Sequence, residues 1–245
     1  MDAKDSRLAL VENFERYFRV ELAQTAQQKH EIYAVRYRVY CEEFQYLSLD
    51  KFDQSLEYDA YDQYAQLCLI RHLETQLVAG CVRLVPTFDE CAIDPLPFEK
   101  YCGSSLDNAF IASLRLERPS ICEISRLAVD RVFRKRSGET LTRFGELNAF
   151  QFSPQEQRTF SLIAVACFLS ATFLTESSCR TNVFAMMEPF LPRMLQHSGI
   201  FFQRAGRDID YHGIRAPYFI TTQSVLNNIH PELRELYHWI RSTVS

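Results

Sequence analysis

Glu123 and Arg126 lie three residues apart in ICEISRLAV, residues 121–129, whose other seven residues are small, apolar or β-branched. In a regular strand side chains alternate faces, so this spacing sends the two charges to opposite sides. Burying either one unpaired costs several kcal/mol or more. A β-bulge would insert one residue, shift the facing of the residues after it and let both charges reach one cleft. A carboxylate there could take the proton of an attacking amine or hold the amine by hydrogen bonds. The plain alternatives are a structural pair, or charges on the solvated face of an edge strand.

Glu57, Asp59 and Asp62 place three carboxylates within six residues, a set that suits a cationic group such as a substrate ammonium. The spacing matches no calcium loop, which needs a Gly at its sixth position and a terminal Glu. A solvated acidic loop is the other reading. Arg131, Arg134, Lys135 and Arg136 directly follow the 121–129 strand and lead into Ser137-Gly138. Backbone N–H groups at such a turn can face a phosphate. The run would hold the phosphate of a pantetheine arm or dock an acidic protein, and a solvated turn is the default. In Gly80-x-x-Arg83-Leu84-x-Pro86-Thr87 the Arg closes an apolar strand and could pair with the acidic loop.

No Ser-His-Asp or Cys-His arrangement is legible, so no covalent intermediate is expected. Eight scattered cysteines form no CxxC pair and no Cys/His cluster at metal spacing. They read as reduced and mostly buried, in a cytoplasmic protein without a signal peptide. The net charge of −4 gives no global reason to expect nucleic acid or a membrane surface as partner. With 47% hydrophobic and 24% charged residues, the 245-residue chain has the composition of an ordinary globular protein.

The elements that must position these groups follow from periodicity. Leu8, Val11, Phe14, Phe18 and Leu22 mark an amphipathic helix, and Ile32, Val35 and Val39 a second one running to about Phe44. Residues 50–64 break the pattern as an acidic loop. Two apolar runs flanking the polar ETQ predict a hairpin over 66–87. Residues 88–120, with Pro95, Pro97 and Pro119, read as irregular with one short helix. TLTRFGELNAF in the stretch after Arg131 could be helical, ended by Ser153-Pro154. A buried helix covers about 158–176. Its most apolar run, 161–174, falls short of the roughly 20 residues that a membrane span needs. A strand at 181–188 comes next, then a helix opened by Pro189 and Pro192 and closed by Gly199. Two strands, in IFFQRAGRDIDYH and RAPYFITTQ, precede a last helix from Pro231 with Leu233, Leu236, Tyr237 and Ile240 on its buried face. The order αα–ββ–β–α–β–α–ββ–α describes one mixed α/β (α+β) domain around a largely antiparallel sheet.

Taken in order, Arg36-x-x-x-Tyr40, Tyr46, Glu57-x-Asp59-x-x-Asp62, Gly80-x-x-Arg83-Leu84-x-Pro86-Thr87 and Glu123-x-Ser125-Arg126 resemble the signature of the acyl-homoserine-lactone synthases. That family has Phe and Trp where this chain has Tyr40 and Tyr46. Residues 182–220, with Met187-Glu188-Pro189, Asp210-Tyr211-His212-Gly213 and Arg215-x-Pro217-Tyr218, resemble the PEP-CTERM/exosortase system-associated acyltransferases. Those are similar to long-chain N-acyl amino acid synthases. The resemblance covers roughly 30–222.

It implies a GNAT-type acyltransferase fold over 1–245, with a 30–222 core and a helical extension at 223–245. The strand at 121–129 would be bulged and splayed from the one near 181–187, with the acyl-thioester arm between them. It implies Glu123, Ser125 and Arg126 as the catalytic group, Glu123 accepting the amine proton through water and Arg126 orienting the acidic loop or the acceptor. Arg36, Tyr40, Tyr46, Glu57, Asp59, Asp62 and Arg83 would shape the acceptor side. Arg131, Arg134, Lys135, Arg136 and Gly138 would meet the donor phosphate and the acidic face of an acyl carrier protein. No resident cofactor or metal is implied; the donor is an acyl-phosphopantetheine thioester, on carrier protein or coenzyme A. The acceptor is a small amine such as an amino acid. The alternatives are lactone synthesis from S-adenosylmethionine, and a non-catalytic member binding carrier protein or lipid.

Overall fold

The segment FRVEL alternates Phe18, Val20 and Leu22 with Arg19 and Glu21, and this two-residue period forms strand β1 (Phe18–Leu22). The expected helix through Leu22 is therefore corrected: helix α1 covers 10–15 of the described residues. A spacing of four fits a helix and a strand face alike, so Phe14, Phe18 and Leu22 could not discriminate. Antiparallel pairing with β2 (Gln66–His72), Phe18 against His72 and Leu22 against Cys68, decides for the strand. The computed structural model describes residues 10–87, 95–134 and 152–244.

Helix α2 (Ala26–Tyr37) starts at a Thr25/Gln28 capping box and passes into a wider, π-type turn over Arg38–Glu43. The acidic stretch is a loop with short 3-10 turns, as expected. β2 and β3 (Val78–Pro86) form the expected hairpin. Two short helices stand where one was expected, α3 (Pro97–Cys102) and α4 (Asn108–Ser113), and β4 is Ile121–Val129. Ser153-Pro154 opens a helix. The Ser153 hydroxyl accepts the Glu156 N–H at the start of α5 (Pro154–Thr159), and Pro154 occupies a first-turn position that needs no N–H donor. The TLTRFGELNAF segment lies outside the described residues.

Helix α6 (Ser161–Ser177) is followed by β5 (Asn182–Met187) and α7 (Leu191–Gln196). IFFQRAGRDIDYH yields two short strands, β6 (Gln203–Arg204) and β7 (Ile209–Asp210), before β8 (Ile214–Thr221). Helices α8 (Thr222–Asn228) and α9 (Pro231–Val244) close the described chain. The strands run in the order β1-β2-β3-β4-β5-β8-β6, with β7 on β8, and the pairing is antiparallel except between β4 and β5.

Helix α6 lies across this sheet. A Cβ at Gly80 of β3 would sit 3.0 Å from both Cys167 Sγ and Ile163 Cγ2, so the missing side chain sets how closely helix and strand approach. The 155–177 helical segment is long and apolar enough to cross a membrane, but 67% of that window is buried inside the fold. Its apolarity is therefore used as core. Phe14, Phe18, Phe133 and Phe160 join Leu236, Tyr237 and Ile240 of α9 in that same core. The C-terminal helix is thus packed into the domain rather than appended to it.

Gly199, expected to close α7, has φ +81°, and a Cβ there would fall 2.1 Å from the Asn228 carbonyl oxygen. Gly199→Ala should lower unfolding stability by more than about 1–2 kcal/mol, the left-handed backbone cost alone, before the clash is added. Chemical denaturation measures it, and an unchanged midpoint would contradict the account.

Candidate active site

Against β3, Val129 faces Gly80 and Ala128 faces Cys81, but Ser125 faces Arg83, so the register slips within β4. Two residues of β4, Arg126 and Leu127, stand opposite one of β3, and Arg126 has φ +53°. This is the bulge that would let both charges reach one cleft. Tyr40 holds it in place. Its hydroxyl donates to the Leu127 carbonyl at 2.6 Å, and its ring lies 5.9 Å from the Arg126 guanidinium carbon. On the other edge, β4 pairs with β5 only over Ile121–Glu123 against Asn182–Phe184. Beyond that point the two strands part.

Two cavities open at the parting. One, of about 490 Å³, has walls including Phe168, Ala185, Met187, Leu191 and Phe202. The other, of about 90 Å³, is lined by Glu123, Tyr211 and His212 among others. Tyr40, Tyr46, Ser125, Arg126, Met186 and Arg215 border both, so the two share a wall, and the smaller space is the more polar one.

Glu123 is the floor of the smaller cavity and is only 4% exposed. Its Oε2 accepts the Phe98 N–H at 2.7 Å. Phe98 is in the first turn of α3, where N–H groups have no helical partner. Phe98 also stacks on Phe184 at 4.8 Å. Burial pushes its pKa up to about 7, against the lowering effects of the Phe98 N–H, Arg83 and Arg126. A carboxyl titrating there is matched to proton transfer near neutral pH.

Three arginines and three carboxylates interlock beside it. Arg36, fully buried, donates from Nε to Glu57 Oε2 at 2.5 Å and through Nη1 and Nη2 to both Asp62 oxygens at 2.6 and 3.0 Å. Arg83 reaches Asp59 and Asp62 from Nη1, and its Nε donates to the Ser125 hydroxyl at 3.2 Å. Arg126 closes the set on Glu57 and Asp59, both at 3.1 Å. The six charges cancel. Despite burial, the guanidiniums hold the Glu57 carboxyl below its usual range and bring Asp62 down to about 2.

Glu57 and Asp62 are buried and matched by arginines, and none of Arg36, Glu57, Asp59, Asp62 and Arg83 borders either cavity. Through Arg126 these groups tie down the bulge, and each of the three loop carboxylates is bonded to arginine. Tyr40, Tyr46, Ser125 and Arg126 do line the cleft. Tyr46 stacks on Phe44, and its hydroxyl donates to Glu188 Oε1 at 3.2 Å.

Of the basic run, Arg134 borders the larger cavity, pairs with Glu43 and lies 5.0 Å over the Phe44 ring. Arg131 begins the 3-10 turn after β4. Lys135, Arg136 and Gly138 lie outside the described residues. Sequence reasoning assigned no role to Tyr211, His212, Arg215 or Glu188, which come from the far end of the chain. The signal was their presence in motifs that had no chemistry attached.

Residues 35–143 match the model of an acetyltransferase (GNAT) domain. No curated protein matches the chain. Among solved structures, TofI in a ternary complex with an inhibitor and MTA superposes with a TM-score of 0.60 at 19% identity, over 89% of this chain and 99% of that one. MesI, a CoA-dependent acyl-homoserine lactone synthase, gives 0.54 at 16% identity, over 93% and 97%. FeeM, an N-acyl amino acid synthase from uncultured soil microbes, gives 0.51 at 9% identity, over 89% and 99%. The fold is GNAT-like, a mostly antiparallel sheet flanked by helices, and the matched domain is that of an acyltransferase.

Proposed function

Starting from an acyltransferase of GNAT-like fold, we propose that this chain moves a long-chain acyl group from a phosphopantetheine thioester to the amine of an amino acid or similar small acceptor. One observation carries the reading. A nearly buried carboxyl with a pKa near 7 stands where the strands part, on the floor of a small cavity that shares a wall with a larger apolar one. The apolar cavity suits the acyl chain, each buried methylene of which contributes about 0.8 kcal/mol. The polar one suits the acceptor.

In this reading Glu123 takes a proton from the acceptor nitrogen, directly or through one water. The nitrogen attacks the thioester carbonyl carbon, a C–N bond forms, and backbone N–H groups of the bulge steady the oxyanion. Collapse breaks the C–S bond and the thiolate leaves, taking back a proton. Ser125 and Arg126 line the reaction space, and Arg126 is kept in place by Glu57 and Asp59. Arg131, Arg134, Lys135, Arg136 and Gly138 are assigned to the donor's phosphate and to the acidic surface of a carrier protein. The resemblance of 182–220 to exosortase-associated acyltransferases favours an amide product. The order Arg36 to Arg126 supports lactone synthesis from S-adenosylmethionine as the second reading.

Mass spectrometry of lipid extracts separates them. Cells overproducing the protein should accumulate an N-acyl amino acid that is absent with Glu123→Gln. An acyl lactone would establish the second reading, and wild-type extracts indistinguishable from the variant's would refute both.

A further inference from the structure

Four charged or titratable side chains border the smaller cavity besides its tyrosines: Glu123, Arg126, His212 and Arg215. Two of them are spoken for. Arg126 is bonded to two carboxylates of the neutral six-charge network. His212, in the β7–β8 turn with φ +56°, has its pKa lowered by burial and then by Arg126 and Arg215, so it stays uncharged at neutral pH. Glu123 and Arg215 remain as an acid and a base without a partner of opposite charge.

Arg215 is half-buried on β8, and the bonds it makes go to neutral groups. Its Nε donates to the Tyr211 carbonyl at 3.1 Å and its Nη2 to the His212 carbonyl at 3.4 Å. Its guanidinium carbon lies 5.1 Å from the Tyr46 ring centroid. Among the described residues it forms no ion pair. Glu188, the nearby carboxylate on the larger cavity, is reached only through the Tyr46 hydroxyl, which bonds both side chains, so no direct pair forms. The turn carbonyls and the tyrosine therefore aim a permanently charged fork that has no carboxylate in direct contact. An arginine so held favours a carboxylate, which it can grip through two parallel hydrogen bonds.

We infer that Arg215 is the specificity residue for the acceptor. It binds a carboxylate of the incoming amine across the small cavity from Glu123, so the site accepts zwitterionic amino acids and rejects amines lacking an acid group. This rests on the N-acyltransferase reading and narrows it. The geometry complements an amino acid, ammonium toward Glu123 and carboxylate toward Arg215, whereas a simple amine would leave the guanidinium unpaired. A site built around a charged hydrogen-bonding group discriminates strongly against ligands lacking the complement.

The test offers the purified protein, with a long-chain acyl thioester, an equimolar mixture of the twenty amino acids or the matching mixture of amino amides. Products are identified by mass spectrometry, and the amino acids that react are then assayed singly. Wild type should favour acids over amides by at least about tenfold in kcat/KM. Arg215→Gln should raise KM for the acid by at least about tenfold with kcat little changed, and should level the preference. Arg215→Lys should recover part of it. Equal use of acids and amides by wild type, or an undiminished preference in Arg215→Gln, would overturn the assignment.

Acylation of neither mixture would count against the transferase reading itself. The carboxylate site is then judged by saturation-transfer NMR with the amino acid mixture. Binding to wild type that is lost in Arg215→Gln upholds the site, and equal or absent binding in both refutes it.

Discussion

Glu123→Gln is expected to lower kcat/KM for acyl transfer by about 10²- to 10⁴-fold, the usual contribution of a positioned general base. The substitution keeps the side-chain shape and an oxygen to accept the Phe98 N–H, so the floor of the cleft survives while its proton acceptor is lost. The pH profile gives a second signature. The folded pKa of Glu123, about 7, lies above the usual carboxylate value, so the ionised base is populated only as pH rises through 7. Wild-type kcat/KM should therefore fall on the acid side with an inflection near 7, and the residual rate of Glu123→Gln should lack that limb.

Stability runs the other way. A carboxyl whose pKa is raised by folding stabilises the fold below its unfolded pKa, and that contribution disappears as pH rises through the folded pKa. Near pH 8 the variant should thus be at least as stable as wild type while far less active. A wild-type rate with no limb near 7, or a variant within threefold of wild type, would remove Glu123 from the mechanism.

Arg36→Met should cost about 3–5 kcal/mol of folding stability, the range for breaking a buried pair by deleting one partner. Glu57 Oε2 and both oxygens of Asp62 lose a donor at once, and with them goes the hold on the acidic loop. Arg83 and Arg126 still reach those carboxylates, but each is already bonded to a second one. Arg36→Lys should recover little, because a single ammonium cannot replace a fork serving two carboxylates.

The pH dependence of this part has the opposite sign to that of Glu123. Asp62 is held down to about 2, so its stabilisation is complete above the unfolded value of 3.8 and is lost as pH falls toward 2. Urea or guanidinium titrations at pH 7 and pH 3 measure both effects. A loss below about 1 kcal/mol at pH 7 would mean that the network contributes little.

Much of this was legible in the residues themselves. A pair of opposite charges in an apolar strand pointed to a bulge as one solution, and β4 has one at Arg126. The apolar 161–174 run read as a core helix, and α6 is one, although the 155–177 segment proves long enough to span and only its burial decides for core. The failure came from local ambiguity. The helix expected through Leu22 was judged from a spacing that fits two structures equally, and long-range pairing with β2 settled it.

The site divides along the same line. Residue types and order determined that a carboxylate, an acidic triple and several arginines would be available, because pairing capacity and intrinsic proton affinity belong to the side chains. Spacing could not say which carboxylate stays free. Glu57, Asp62 and Glu123 are all nearly buried, yet arginines at bonding distance hold Glu57 and Asp62 ionised, whereas desolvation raises Glu123 to about 7. That difference depends on what packs around each group, while the parting of β4 from β5 opens the cleft and β8 brings Arg215 to the same small cavity as Glu123. Sequence set the charges. Only the tertiary structure decided which of them face each other across water.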